Sequence, residues 1–367
     1  MERFRMQEQR FTALREILEY GVYHVVQNLK IEGYTSEEPL PFSEKKKGAY
    51  RLWQPGEHWG DLFDCGWFHF TGTIPPEAAG KHLAVLVDLS AEGLVVDQNG
   101  NPVQGLTSAT SRNEFPLGLW GKRTIELKDC LNAQGQIDFW GDFTCMDIEG
   151  QYRNNGRIKE ACLVWVDDLV RETFYDWVVC QSLFVGLCEN GDAYGEEVGQ
   201  LLERAASALG PEEAEHTSAD VGSTQERMMA RHAYGEETSG LDKAGERLSI
   251  WPDPETEPTR KRQRLLDHGR VTEAKKYLEE ILSRPCEQTT LTYSSIGHSH
   301  LDLLFLWPQR ETPRKCARTM STVMKMMDRF PEYKFTLSQA PVYLWLKEQY
   351  PELYERMCRR IREGRLE

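Results

Sequence analysis

The chain contains no CxxC pair. Its nine cysteines (Cys65, Cys130, Cys145, Cys162, Cys180, Cys188, Cys286, Cys316, Cys358) are an odd number and are scattered. That argues against a disulfide framework and fits reduced, mostly buried thiols in a cytoplasmic protein. No run approaches the roughly 18 consecutive apolar residues of a membrane span. Charges interrupt the opening MERFRMQEQRFTALREILEYGVYHVV throughout, so no signal peptide is expected. GxGxxG, GxxxxGK[ST] and GxSxG are all missing, which removes support for a phosphate loop or a serine-hydrolase elbow. Positive charge is in short supply. With 44 Lys and Arg against 58 Asp and Glu, the formal net charge is −14. No nucleic-acid partner is expected, because phosphate neutralisation needs clustered cations. Docking on an anionic membrane is disfavoured for the same reason. The basic run Arg260-Lys261-Arg262 is short, flanked by acids and reads as a solvated face.

What is present reads as a multidomain α and β protein. The 367 residues suffice for two or three domains. Phe11, Leu14 and Leu18 recur at helical spacing and predict an opening amphipathic helix. From about residue 50, short β-rich runs follow at 67–70, 83–87, 124–127, 137–140 and 161–166, bounded by Gly, Pro and Asp. Val95 to Val103 reads as a hairpin whose Asn99-Gly100 supplies the two positive-φ positions of a type I′ turn. The series predicts an N-terminal β-sandwich over 1–166, with the leading helix. A helical connector is predicted over 167–290. In it Leu169, Thr173, Trp177 and Val178 share one face, and Tyr194, Val198, Leu201, Leu202, Ala205 and Leu209 form an apolar stripe that Gly210 stops. Residues 211–262 are polar, with three prolines near their end, and read as a linker or loosely ordered insertion. A helix resumes from Val271 to about Ser283, and no internal repeat is visible.

The last stretch, 291–367, alternates β-α-β-α. Leu291–His300 and Lys334–Ser338 read as strands. Pro313–Arg329 reads as a helix capped by Thr312, and Pro341 and Pro351 open two more. That order opens a parallel α/β domain, in which chemistry sits at the C-terminal ends of the strands. There stands Gly297-His298-Ser299-His300-Leu301-Asp302. Alternate strand side chains share a face, so His298, His300 and Asp302 project together if extended geometry persists. Imidazole nitrogen and carboxylate oxygen are zinc donors, and the remaining ligands must come from elsewhere in the fold. Other nearby residues have blander readings. Leu306 reads as core, Arg310-Glu311 as a surface ion pair or helix-start network, and Tyr343, Trp345, Tyr350 and Tyr354 as packing.

Several blocks in this stretch match a known family in order and spacing. GHSHLD, FLWPQRET, ARTMSTV, LSQAPVYLWLKEQYPELYERM and EGRLE resemble the opening of the catalytic domain of the glycoside hydrolase family 38 α-mannosidases. Gly66-Trp67-Phe68, Glu92 to Val96 and Pro102 to Leu106 resemble the ancillary β-sandwich of that family's cytosolic-type branch. The resemblance implies that 291–367 begins an α/β barrel, here incomplete. It implies retaining hydrolysis of terminal α-mannosides with zinc, and an α-mannoside oligosaccharide as partner. His300 and Asp302 take the zinc-ligand positions, and His298 does not. Phe305 takes the position of the aromatic residue that stacks on the sugar, where the family usually has Trp; Phe keeps the apolar face but loses the indole N–H. Leu303 and Leu304 stand where the family has small or polar residues. The nucleophile follows the segment that matches EGRLE, so no catalytic carboxylate is assigned up to Glu367. The expectation is therefore a truncated, inactive fragment, with 291–367 poorly stable alone because strand edges and apolar faces lack cover. Two alternatives stand beside it: a non-catalytic carbohydrate-binding remnant, and an amidohydrolase-type metal enzyme using His298-x-His300. Self-association is left open.

Overall fold

The computed structural model describes residues 2–107, 122–146, 156–210, 259–284, 294–299, 301–304 and 307–367. Its centre is a sandwich of two antiparallel sheets. One is four-stranded in the order β1-β10-β5-β8, with β1 Tyr23–Asn28, β5 Leu83–Asp88, β8 Thr124–Glu126 and β10 Glu160–Val166. The other is six-stranded in the order β3-β2-β4-β9-β6-β7. It comprises β2 Lys30–Ser36, β3 Arg51–Trp53, β4 Cys65–Gly72, β6 Glu92–Val96, β7 Pro102–Thr107 and β9 Ile137–Thr144.

The strands sort their side chains by alternation. Val85, Val87 and Leu163 turn inward onto Phe68, Phe70, Phe139 and Phe143 of the facing sheet. Ala84, Leu86, Cys162 and Val164, one position away, turn outward. An antiparallel sheet often leaves its outer face to water. Here both outer faces are covered, which explains why β5 and β10 read as almost unbroken apolar runs.

Four helices cover the smaller sheet: Glu2–Tyr20, Asp168–Glu189, Tyr194–Leu209 and His268–Leu282. Phe11 and Phe184 meet edge to face at 5.4 Å, and the Trp177 indole donates to the Phe11 carbonyl at 3.0 Å. Asp167 caps the second helix, accepting from the Val170 amide, and Asp267 caps the fourth, accepting from the Arg270 amide. Gly210, at φ 112°, closes the third helix where the sequence placed its stop. The chain returns to the sandwich at a helical turn, Thr259–Arg262. Buried Thr259 donates its amide to Glu160, which also pairs with Arg123, so the end of the expected polar insertion is docked. The insertion from 211 to 258 lies outside the described residues.

The larger sheet is covered by the Glu311–Arg329 helix. Behind it lie β11 Gly297–His298 and β12 Phe335–Thr336, which pair in parallel. The helices Ala340–Gln349 and Pro351–Arg362 follow. Leu366 bridges Phe335 in parallel, and the Leu337 amide donates to the Glu367 carbonyl at 2.5 Å. A third parallel segment thus joins the far side of β12.

Several local expectations need correction. Strands β1 and β2 precede residue 50, where no strand was expected, and β3 at 51–53 was not expected either; the alternation of β2 is broken by Gly33, and β3 has only three residues. The 95–103 hairpin forms, but not through a type I′ turn. Gly100 alone is left-handed (φ 88°), because Asp97 accepts from the amides of Asn99 and Asn101 and organises a longer loop. Residues 294–296 are not strand, and the described ladder at 297–298 is as short as its two-residue partner. The next helix begins at Glu311 rather than Pro313, with Arg310 and not Thr312 at its cap.

Candidate functional site

The parallel strands set the location. β11 ends at His298 and β12 at Thr336, and both chains leave into loops on the same edge. Asp302 lies in the first loop, half-exposed, and Gln339 lies in the second. Of the residues singled out from sequence, His300, Phe305 and Leu306 lie outside the described residues. His298 is exposed at the end of β11, Leu303 packs partly into the core, and Leu304 is exposed. Extended geometry is described only to His298, so the shared face proposed for 298, 300 and 302 has no strand to carry it as far as Asp302. Among the described residues no group of three or more His, Cys, Asp or Glu converges as a metal cage.

The backbone around Asp302 is held from both sides. The Gln339 amide nitrogen donates to the Leu301 carbonyl at 2.5 Å, and the Thr312 hydroxyl donates to the Leu303 carbonyl at 2.5 Å. Thr312, fully buried, accepts in turn from the Trp307 indole at 3.1 Å. Lys315 sits over the Trp307 ring, 4.5 Å from its centroid.

The helix that carries Thr312 and Lys315 is pinned to the sandwich by buried charge. On the larger sheet the outward positions of β9 include Asp142 and Thr144, and cross-strand pairing sets Glu92 opposite Thr144. The helix answers with Glu311, Arg314, Lys315 and Arg318, all buried. Arg314 forks onto Asp142, with Nε to Oδ2 at 3.0 Å and Nη2 to Oδ1 as the second bond. It also binds Glu311 at 2.7 Å and donates to the Phe143 carbonyl at 3.1 Å. Arg318 bridges Glu311 at 2.5 Å and Glu92 at 2.8 Å, and Lys315 reaches Glu92 at 3.1 Å. Thr144 donates to Glu311 at 2.9 Å. Three carboxylates thus face three cations in one dry layer.

Burial alone would push the Glu311 carboxyl up, but Arg314 and Arg318 outweigh it and hold it below the ordinary range. Burial works against the Arg314 cation too, yet Asp142 and Glu311 drive it well above its ordinary value. A carboxylate in the first helical turn is also favoured by the helix dipole. The layer is a structural lock. It is a helix-start network through Glu311 but without Arg310, which pairs with Glu38 at 3.2 Å instead; a surface pair between the two is overturned by Glu311, which is 1% exposed.

Sequence reasoning did not anticipate Thr312, Gln339 or Trp307 as supports of the loop. Asp142 and Glu92 carried a signal, as acids inside strands, but nothing in one sequence says which helix covers them. The buried thiols near the larger sheet and the helical layer are held protonated. Cys65 lies against Arg314, yet burial still raises it, and burial pushes Cys316 and Cys180 to about 12.

Comparison with known proteins bears on both halves. Residues 290–367 match the glycosyl hydrolases family 38 N-terminal domain, and residues 25–164 match the alpha-mannosidase jelly roll domain. Alpha-mannosidase G of Dictyostelium discoideum is 42% identical over 345 residues, which is 92% of this chain and 26% of that protein. Human alpha-mannosidase 2C1 is 25% identical over 333 residues, covering 89% of this chain and 26% of its own length. Alpha-mannosidase of Saccharomyces cerevisiae is 48% identical over 62 residues, 17% of this chain and 6% of that protein. The chain thus spans about a quarter of the length of the first two relatives.

Proposed function

By family this chain is a glycoside hydrolase, joined to the family 38 α-mannosidases through both of its matched regions, and from that premise we propose that the whole protein hydrolyses terminal α-mannosides with retention and with zinc. The observation that carries the reading is the placement of Asp302. It stands in the loop at the C-terminal end of a parallel strand pair, inside the family 38 region, where α/β folds gather their chemistry. The parallel pair, with a third segment beside it, is read as the first units of an α/β barrel.

The donor set suits the metal in kind. An imidazole at His300 and a carboxylate at Asp302 are ordinary zinc ligands, and two protein ligands leave half of a four-coordinate sphere to other groups. Zinc bound there supplies a positive centre for two adjacent hydroxyls of the mannose. The chain's own part is to bind and orient. Asp302 contributes charge from a loop clamped at both neighbouring carbonyls. Phe305 offers an apolar ring to a sugar face, with no indole N–H to direct it. Retaining hydrolysis needs two further carboxyls, a nucleophile and an acid/base, and none of these three residues takes either role. We place the protein in the cytoplasm, a reading supported by eight described cysteines that are all free.

The test is a zinc titration of the 367-residue chain by calorimetry, with His300→Ala and Asp302→Ala alongside, and release of p-nitrophenol from its α-mannoside by the whole protein. A two-ligand site is expected to bind in the micromolar range or weaker, and either substitution should abolish the binding. Activity of the whole protein should fall with Asp302→Ala while the fold persists. Undiminished zinc binding and activity in both variants would remove the reading.

A further inference from the structure

We propose that Thr312 and Gln339 are positioning residues that clamp the backbone on either side of Asp302 and so fix the direction of its carboxylate. The inference rests on the reading of Asp302 as a metal ligand, and it adds what holds that ligand. The two donors come from separate helices, one following each parallel strand. Thr312 is in the first turn of the Glu311–Arg329 helix, and Gln339 stands at the cap of Ala340–Gln349. Their acceptors, the Leu301 and Leu303 carbonyls, immediately flank Asp302.

Both donors are committed to this contact. The Thr312 hydroxyl has one hydrogen, which it gives to Leu303, and its lone pair receives the Trp307 indole N–H. The direction of the bond chain is therefore fixed without choice of rotamer. Gln339 occupies a helix cap yet makes no side-chain cap bond. Pro341 near the start of that helix lacks the N–H that a cap would often bind, which lowers the return from capping and frees the amide for Leu301. The clamp continues outward, because Lys315 covers Trp307 and binds Glu92 of β6. The sandwich thereby braces the loop through Glu92, Lys315, Trp307 and Thr312. A simpler reading is that two loop carbonyls merely found partners. It predicts no preference for Asp302 over the rest of the segment.

The experiment uses the full chain and the variants Thr312→Val, Thr312→Ser and Gln339→Leu. Hydrogen exchange is read over 299–304 and, as internal control, over the Glu311–Arg329 helix; zinc affinity is read by calorimetry with the metal alone. Thr312→Val and Gln339→Leu should each speed exchange across 301–304 while the helix exchanges as before. Zinc affinity should fall about 10- to 100-fold, the usual effect of removing an outer partner of a ligand. Thr312→Ser, which keeps the hydroxyl, should restore both. Exchange over 301–304 that matches the parent in Thr312→Val and Gln339→Leu would overturn the clamp, as would equal losses in Thr312→Val and Thr312→Ser. Should Thr312→Val not fold, Gln339→Leu, at a half-buried position, decides alone. If the parent and Asp302→Ala bind zinc alike, the ligand reading fails, and the exchange data still decide the clamp.

Discussion

The two outer faces of the sandwich are covered by opposite means. On the smaller sheet, four helices bury a mainly apolar layer of Phe11, Leu14, Trp177, Phe184 and Val198, with the Trp177 indole bond and the Gln181–Thr12 bond inside it and the single Arg123–Glu160 pair beside it. On the larger sheet, Phe42 and Tyr50 pack on Trp67 and Trp140, and one helix lies over the six charges centred on Glu311. Apolar contact is non-directional, so the first interface holds strength with latitude in register. Buried ion pairs add little net stability against an apolar substitute, but a misplaced one is costly. The second interface therefore allows few registers of helix on sheet, and it is the one that stands between the sandwich and the Asp302 loop.

The comparison can be broken most sharply at Glu311. Glu311→Ala leaves Arg314 with Asp142 and Arg318 with Glu92 but removes the carboxylate that joins them, giving a buried layer with one cation in excess; it should cost about 3–5 kcal/mol, read by urea denaturation. Replacing the whole set, Glu92, Asp142, Glu311, Arg314, Lys315 and Arg318, by apolar residues of like volume leaves no bare charge and should cost less than the single change. A sixfold variant as unstable as Glu311→Ala would refute this account of the layer. Next comes Gly105 on β7. A Cβ there would lie 2.7 Å from the Arg318 carbonyl, and the Gly105 amide already donates to Thr322 at 3.0 Å. Gly105→Ala should push the helix off the sheet, at about 1–3 kcal/mol for overpacking. On the apolar side, Ile17→Val should cost only about 0.5–1.5 kcal/mol, read by the same urea denaturation.

The mildest probe is pH. Glu311 sits below the ordinary carboxylate value in the folded state. Its contribution is therefore full above the unfolded value, about 4.3, and is lost as pH falls through the lower folded value. Acid titration should loosen the Glu311–Arg329 helix before the helices on the smaller sheet, with little change from pH 7 to 5. Exchange rates that rise together on both faces would contradict the contrast.

Much of this was legible in the chain, and the gaps have physical causes. Strand cores such as 83–87 and 161–166 declared themselves because they are covered on both faces. The Tyr194–Leu209 stripe and its Gly210 stop were plain for the same reason: one face meets a core. In β9, Ile-Asp-Phe-Trp-Gly-Asp-Phe-Thr, the alternation gives the inner face correctly. It cannot reveal that Asp142 and Thr144 are buried, because their cover arrives from a helix some 170 positions away. The place of Asp302 just beyond β11 was legible from the strand order. Thr312 and Gln339 were not, since each looks like a helix-start residue and its true partner is a backbone carbonyl that carries no side-chain signature.

The even matching of acids and cations across the larger sheet limits how these parts can be inherited or rebuilt. A jelly roll transplanted without its helix would show Glu92 and Asp142 to solvent as bare anions. The helix moved to another scaffold would carry Arg314, Lys315 and Arg318 with only Glu311 to meet them. Recombination that separates the modules is penalised on both products, so a chimera needs its junction cut elsewhere, with this seam kept whole.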